Sequence, residues 1–310
     1  MNFASLEYFE MLARERNFTR AAEKLHITQQ SLSSNIAKME RELGCQLIVR
    51  HVPLDITYAG EVLLRYAEEF RETLLEMQQE FCDISQNQRG VLRIGVAYTR
   101  GRTILPDIIL EFQKRYPLIR IDLIEDSNDV LHRKLLDGDV DLAIAYFSDT
   151  PSGITLHDFY HEELVMLVSR ELFQRLYGDE AEARLRAFED GDYSALGDCP
   201  LILGGMDDLD GQIAQGIMKR EKITHPHIVA SSSNAETQLA MCIRGIGACF
   251  CPVILARAAL TEEQLASLVT IHLGGSARYR IRFGCQARSY QWSVIEAFMD
   301  LAREIVPDEH

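Results

Sequence analysis

Apolar residues in the first sixty positions recur at helical spacing in separate runs. Phe3, Leu6, Phe9 and Met11 to Ala13 share one face and the pattern stops near Asn17, which predicts a helix of about four turns. A second helix follows, with Thr19 as its cap and Ala21, Ala22 and Leu25 as its buried face; the alanines let a neighbouring helix approach closely. His26 and Ile27 make a turn. Thr28 then caps a third helix, Gln29 to Leu43, whose apolar positions Leu32, Ile36, Met39 and Leu43 face inward and which Gly44 ends. The polar face of that helix carries Gln29, Gln30, Ser31, Ser33, Ser34 and Lys38, short polar or amide side chains able to reach base edges and phosphates. Gln46 to Arg50 and Leu54 to Tyr58 alternate apolar and polar around His51 to Pro53, which predicts a hairpin wing, with Arg50 and His51 where a wing would meet a nucleic-acid backbone. A structural three-helix unit with a solvated face fits the same pattern, and the pattern alone does not separate the two.

From Ala59 to Gln88 no Gly or Pro follows Gly60, and Leu63, Ala67, Phe70, Leu74, Met77, Phe81 and Ile84 recur at alternating spacings of four and three. This is a heptad seam. Burying each such side chain is worth about 1.5–3 kcal/mol, so a connector with this stripe needs a partner. A second copy of the chain is the simplest one, and packing against its own domain is the alternative. The outer face, with Glu61, Glu68, Glu69, Glu72, Glu76, Glu80 and Asp83, is acidic and should stand off from DNA.

Beyond Arg89 and Gly90 the period switches between strand and helix. Val91–Val96, Ile119–Ile124 and Val140–Tyr146 read as strands, separated by helices over Ile104–Arg115 and Leu131–Leu136. This order predicts a largely parallel sheet covered by helices, with ligands near the strands' carboxyl ends. Leu164–Val168, Leu201–Leu203, Ile228–Ala230 and Gly247–Cys251 are candidate strands of a second lobe, from which Val269–His272 and Tyr279–Phe283 return to the first. The domains expected are 1–58 for the helical unit, 59–89 for the connector and 90–310 for an α/β domain. In the last, lobe I spans about 90–162 and 268–305, and lobe II about 163–267.

Composition narrows the class. A chain of 310 residues exceeds the usual single domain, and 47% hydrophobic with 25% charged residues excludes a disordered or fibrous chain. The longest nearly apolar stretch, Ala248 to Ala256, contains Pro252 and falls far short of the ~20 residues a spanning helix needs. The N-terminal segment is acidic and amphipathic in place of a secretory signal, so a cytoplasmic protein with no membrane partner is expected. The net charge of −15 opposes nucleic-acid binding at first sight. Residues 1–60, however, hold Arg14, Arg16, Arg20, Lys24, Lys38, Arg41 and Arg50 against an equal number of acids, so the deficit lies elsewhere. Cys45, Cys82, Cys199, Cys242, Cys249, Cys251 and Cys285 are an odd, scattered set, expected reduced and mostly structural.

The run NFTRAAEKLHITQQSLSSNIAKMERELGCQLIVR followed by LDITYAGEVLL resembles the signature of LysR-type transcriptional regulators. The matching positions are Ala21, Ala22, Leu25, Gln29, Ser33, Ile36, Glu40, Leu43, Gly44, Leu47, Arg50, Thr57 and Gly60. Ser34 and Ile48 depart from it, the family commonly having an arginine or comparable polar residue and a phenylalanine there. LRIGVAYTRGRTILPDIILEFQKRYP and DGDVDLAIAY are similar to the family's effector domain. The resemblance implies an α/β protein overall: a mainly α winged helix-turn-helix reader, a long linker helix, and a two-lobed domain of the type 2 periplasmic binding protein fold. It also implies promoter DNA as partner, pairing through the linker, and tetramers built from dimers.

For a ligand, Tyr98 to Thr103 joins a strand to a helix start, where backbone donors and the hydroxyls of Thr99 and Thr103 can hold an anion, with Arg100 or Arg102 adding charge. The resemblance adds Ser127, Phe147, Ser148, Gly204, Gly205 and the turn Ser231 to Asn234, including Ser232 and Ser233. Each such turn equally serves as a helix cap. His225–Pro226–His227 lacks further ligands at metal-binding spacing, and no phosphate loop, dinucleotide fingerprint or nucleophile elbow occurs, so no metal, cofactor or enzymatic activity is expected. The expectation is a DNA-binding regulator controlled by a small anionic effector. Its rivals are a cysteine-based redox regulator of the same architecture and a solute-binding module without regulatory role.

Overall fold

The computed structural model describes residues 2–49, 54–84, 89–205, 209–288, 290–306 and 308, without the side chains of 82, 84, 98, 99 and 276. Its contacts divide the chain into residues 1–87 with 290–292 and residues 88–289 with 293–310. Each unit has its own architecture.

The first unit begins with α1 (Phe3–Glu15), α2 (Phe18–Lys24) and α3 (Gln29–Leu43). Asn17, not Thr19, starts α2: its side chain accepts from the Thr19 and Arg20 amides, while its backbone is still extended as a cap requires. Thr28 caps α3 through the Ser31 amide at 3.1 Å, and Gly44 closes it in the left-handed region at φ 72°. Among the described residues the strands β1 (Ile48–Val49) and β2 (Asp55–Ile56) pair antiparallel. Arg50 and His51 lie outside the described residues. The helix α4 (Tyr58–Ile84) follows.

Phe9, Leu12, Ala21, Leu32, Ile36 and Leu47 are fully buried in one core, which Ile48 joins, so the departure at position 48 is a core exchange of one apolar side chain for another. Two expected inward residues are not inward: Phe3 is 59% and Leu43 42% exposed, because each sits at a helix end beyond the reach of the packed face. Leu63 and Ala67 of α4 are consumed by this same core, so they are not free to form a seam with another chain. Farther along, Phe70, Met77 and Phe81 stand exposed, and Leu74 is half-buried. The heptad stripe thus splits into a part serving its own unit and a part left open.

In the second unit, β3 (Gly90–Val96) is followed by α5 (Tyr98–Thr103), α6 (Leu105–Arg115), β4 (Ile119–Glu125), α7 (Asn128–Leu136) and β5 (Leu142–Tyr146). The sequence pattern missed α5, since six residues are too few to show a helical period. The strand β6 (Ile154–Ser169) leads to α8 (Arg170–Tyr177), α9 (Ala181–Glu189), β7 (Leu201–Leu203) and α10 (Leu209–Arg220). Then come β8 (Ile228–Ser231), α11 (Ala235–Ile243), β9 (Ala248–Pro252), α12 (Val253–Ala259), α13 (Glu262–Ala266), β10 (Leu268–His272), β11 (Arg278–Gln286) and α14 (Ser293–Ile305).

The order β4-β3-β5-β11-β6-β9-β7-β8 runs through one continuous sheet. The strands β3, β4 and β5 are parallel, as are β7, β8 and β9, and the antiparallel strands β11 and β6 join the two groups. The long strand β6 belongs to both lobes: residues 154–163 pair with β11 and residues 164–169 with β9 and β10. This corrects the expected return of Val269–His272 to the first lobe, because β10 runs along the second-lobe half of β6 and only β11 goes back.

At Gly60 the start of α4 lies close against the wing. A Cβ there would stand 2.2 Å from the Leu47 carbonyl oxygen and 2.4 Å from Ile56 Cγ2. Gly60→Ala should therefore push α4 off the wing and lower the stability of the reader by about 1–3 kcal/mol, the usual cost of overpacking, measured as a shift in the denaturant midpoint. An unchanged midpoint would mean the wing does not pack on α4 as described.

Candidate nucleic-acid interface and ligand pocket

The surface of α3 follows from what its core takes away. Leu32, Ile36 and Met39 are buried at spacings of four and three, which leaves Thr28, Gln29, Gln30, Ser31, Ser34 and Lys38 exposed on the other side and Ser33 half-buried. These side chains form one polar strip beginning at the helix N-terminus, where backbone amides and the helix dipole favour phosphate. Lys38 stands 4.0 Å from Glu42 on the exposed helix surface, a weak pair that leaves its ammonium available. Glu40, on the far flank, accepts the Leu47 amide at 3.0 Å and so ties the start of the wing to α3. Thr57 Oγ1, just after β2, donates to the Gln46 carbonyl at 2.6 Å and so ties the end of the wing to the segment that leads into it.

In the second unit, parallel pairing puts the carboxyl ends of β3, β4 and β5 on one edge, so the turns holding Tyr98, Ser127 and Ser148 come together there. The parallel set β7, β8 and β9 does the same for Gly204, Gly205, Ser232 and Ser233. The two edges meet: Arg102 of α5 forms an ion pair with Glu236 of α11, and α5 packs on α12.

Within this frame the individual candidates differ. Tyr98 and Thr99 begin α5, with their side chains outside the described set. Thr103 is half-buried at the end of the same helix. Arg100 is buried, and its guanidinium pairs with Glu162 at 2.6 Å, so it brings no net charge to the pocket. Burial works against the charge of Arg100, but the Glu162 carboxylate more than restores it and holds its pKa above the ordinary arginine range. Tyr160 donates to Glu162 at 3.1 Å, and burial, reinforced by that carboxylate, pushes both Tyr160 and Tyr279 up.

Phe147 is a core residue, 3% exposed and stacked on His132 at 4.4 Å between ring centroids, so its side chain faces the lobe interior and not a ligand. Ser232 is taken up locally, its hydroxyl accepting the Asn234 amide at 3.1 Å while Asn234 caps α11. Ser127 begins α7 without a side-chain capping bond, which leaves its hydroxyl for other use, and Ser148 and Ser233 are exposed. Gly204 and Gly205 follow β7 immediately before residues outside the described set.

Sequence reasoning missed Glu162, Tyr160, Tyr279 and Glu236. A signal for Glu162 was present, an acid next to the apolar run Leu164–Val168, but only the register of β6 shows that it is buried. Several of the thiols are shielded by their surroundings. Burial pushes Cys199 and Cys285 up to about 12, and Cys249 and Cys251 are shifted upward as well, Cys249 first by its hydrogen bond with Cys242 and then by burial. Cys45 is exposed. Among the described residues no cluster of His, Cys, Asp and Glu is fit to hold a metal, and no helix is long and apolar enough to cross a membrane.

Comparison with known proteins meets this geometry at both ends. Residues 3–61 match the family described as bacterial regulatory helix-turn-helix protein, lysR family, and residues 85–306 match the LysR substrate binding domain. A Bacillus subtilis protein named uncharacterized HTH-type transcriptional regulator YcgK is 25% identical over 98% of this chain and 94% of its own. The nitrogen assimilation regulatory protein nac of Escherichia coli is 30% identical over 63% of this chain and 65% of its own. The probable RuBisCO transcriptional regulator of Thalassiosira pseudonana is 32% identical over 53% of this chain, a match spanning 55% of that relative. Among solved structures, full-length OxyR C199D from Pseudomonas aeruginosa superposes over the whole of both chains with a TM-score of 0.69 at 21% identity. Full-length CbnR complexed with its target DNA covers 99% of this chain and all of its own, with a TM-score of 0.62 at 21% identity. At these identities the structures speak for the fold alone. With both of its units matched by the family's own domains, the chain belongs to the LysR family of transcriptional regulators.

Proposed function

We propose that this regulator reads double-stranded promoter DNA as a homodimer, paired again into tetramers, through the exposed face of α3, and that a small anionic effector bound between its two α/β lobes controls it. The observation that carries the reading is the division of α3: one face is spent on the core and the other presents Gln29, Gln30, Ser33, Ser34 and Lys38 as a continuous polar strip. Arg50 and His51 of the wing would add backbone contacts. The serine at position 34, where the family commonly has a longer polar residue, shortens the reach there, so more of the base reading falls to the two glutamines.

Pairing is supported by Phe70, Met77 and Phe81, which stand 48%, 46% and 63% exposed at spacings of seven and four along α4, too much apolar surface on one helix face to leave to water. Two readers joined by such a seam suit a site of two half-sites. The effector reading is supported by the meeting of two sets of strand ends and by the hydroxyls of Ser127, Ser148 and Ser233 there. An effector acts by its difference in affinity between open and closed lobes, and through them on reader placement in the oligomer. A cytoplasmic setting goes with promoter binding. Redox switching is disfavoured by the same burial that raises the thiols.

Selection from a random duplex library at low salt should recover a consensus. Gln29→Ala or Gln30→Ala should then cost about 1–3 kcal/mol against it, the worth of one base-reading pair, while Lys38→Ala weakens all sequences alike and lowers the salt slope by about one. No enrichment of any duplex would sink the regulator reading for this face. Light scattering should show Phe70→Asp with Met77→Asp shifting the assembly toward monomer, since an aspartate pair in an apolar seam costs several kcal/mol; an unmoved mass would place the interface elsewhere. After mild peroxide at neutral pH, peptide mapping should find Cys199, Cys249, Cys251 and Cys285 unpaired, because thiols with raised pKa hold less thiolate than a free cysteine. A disulfide among them would favour the redox alternative.

A further inference from the structure

The connector helix α4 changes its business part-way along, and one ion pair marks the place. Leu63 and Ala67 face the reader core, and the next position at the same spacing of four is Arg71. Its Nε stands 3.6 Å from a carboxylate oxygen of Glu10 on α1. Phe70, one residue earlier and therefore about 100° around the helix, opens the exposed stripe that continues through Met77 and Phe81.

Glu10 is an acid in an apolar place. It shares the packed face of α1 with Leu6, Phe9, Leu12 and Ala13, and it is only 8% exposed. Burial pushes its carboxyl up; Arg71 and then Arg14 pull it back, while Glu68 and Glu7 add to the rise. An apolar side chain would fill such a position without any cost in charge, so packing alone does not account for the acid. A buried carboxylate fixes direction, because it is tolerated only while a cation comes to it, here from α4. The contact between reader and connector then has two fixed points. Gly60 lays the start of α4 on the wing, and Arg71 holds the helix to α1 about 16 Å farther along. Two points that far apart set both the axis and the roll of the helix, which a single point does not.

We propose that the Glu10–Arg71 pair is the positioning contact that sets how each α3 is carried relative to the dimer seam on α4, and so which separation of half-sites the regulator accepts. This rests on the reading of the chain as a dimeric DNA-binding regulator and names the residues that give that reading its spacing specificity. One base pair more or less between half-sites shifts them by about 3.4 Å and turns them by about 35°, so a rigid carriage accepts one spacing and a loose one several.

Selection by the full-length chain among duplexes whose two half-sites are separated by one base pair more or less at a time tests it. The wild type should favour one separation over its neighbours by about tenfold or more, and in Glu10→Gln, which keeps the shape and removes the charge, the preference should fall to about twofold. Arg71→Met should broaden the preference in the same way, and Arg71→Lys, which keeps the cation, should retain most of it. Because Glu10→Gln removes a buried charge, its melting temperature should not fall, and a lost spacing preference at unchanged stability is what a merely structural contact does not give. A second measurement needs no DNA. With a spin label on an unnatural residue in place of Ser34, the distance between the labels of two protomers should be narrowly distributed in the wild type and broader in Glu10→Gln. The proposal is overturned if Glu10→Gln and Arg71→Met keep the wild-type preference, if the preference and the melting temperature of Glu10→Gln fall together, or if its label distances stay as narrow as those of the wild type. If the wild type enriches no duplex, the regulator reading falls by itself and the label distances decide the positioning role.

Discussion

Glu162 is a carboxylate buried in the strand that runs through both halves of the effector domain sheet, and its burial there demands a partner of opposite charge. An unpaired buried carboxylate costs several kcal/mol, so a cation has to reach it. Arg100 does so from α5, a helix of six residues at the carboxyl end of the first parallel strand, and Tyr160 adds a hydrogen bond from within β6. The pair therefore pins the strand-end edge of one lobe to the strand the two lobes share.

The same pin sets the charge at the strand ends of the two lobes. It removes Arg100 as a source of net charge there, and Arg102 is held by Glu236 of the other lobe.

The reader solves a different problem. Its core must be complete while one face of α3 stays wholly polar, and its small size leaves little apolar surface to spare. Part of the solution is to borrow Leu63 and Ala67 from the connector helix, with Gly60 letting that helix lie directly on the wing. Balanced charge in the first sixty residues then permits approach to phosphates although the whole chain carries −15.

What the amino-acid order determined on its own is much of what is local in period: the three reader helices, the Thr28 and Gly44 ends of α3, the long uninterrupted connector, and the first alternation of strands and helices in the effector domain. Helical and strand periods, caps and stops act over a few residues, and so they are visible without a partner element. Only the tertiary structure decided which halves of a periodic stripe are spent. Leu63 and Ala67 look the same as Phe70 and Met77 in the heptad, and only packing separates the buried from the exposed. The full length of β6, the second-lobe place of β10, the core role of Phe147 and the pairing of Arg100 with Glu162 were likewise out of reach. Each depends on which strand or side chain lies across a distance of tens of residues, and no period in the chain encodes that.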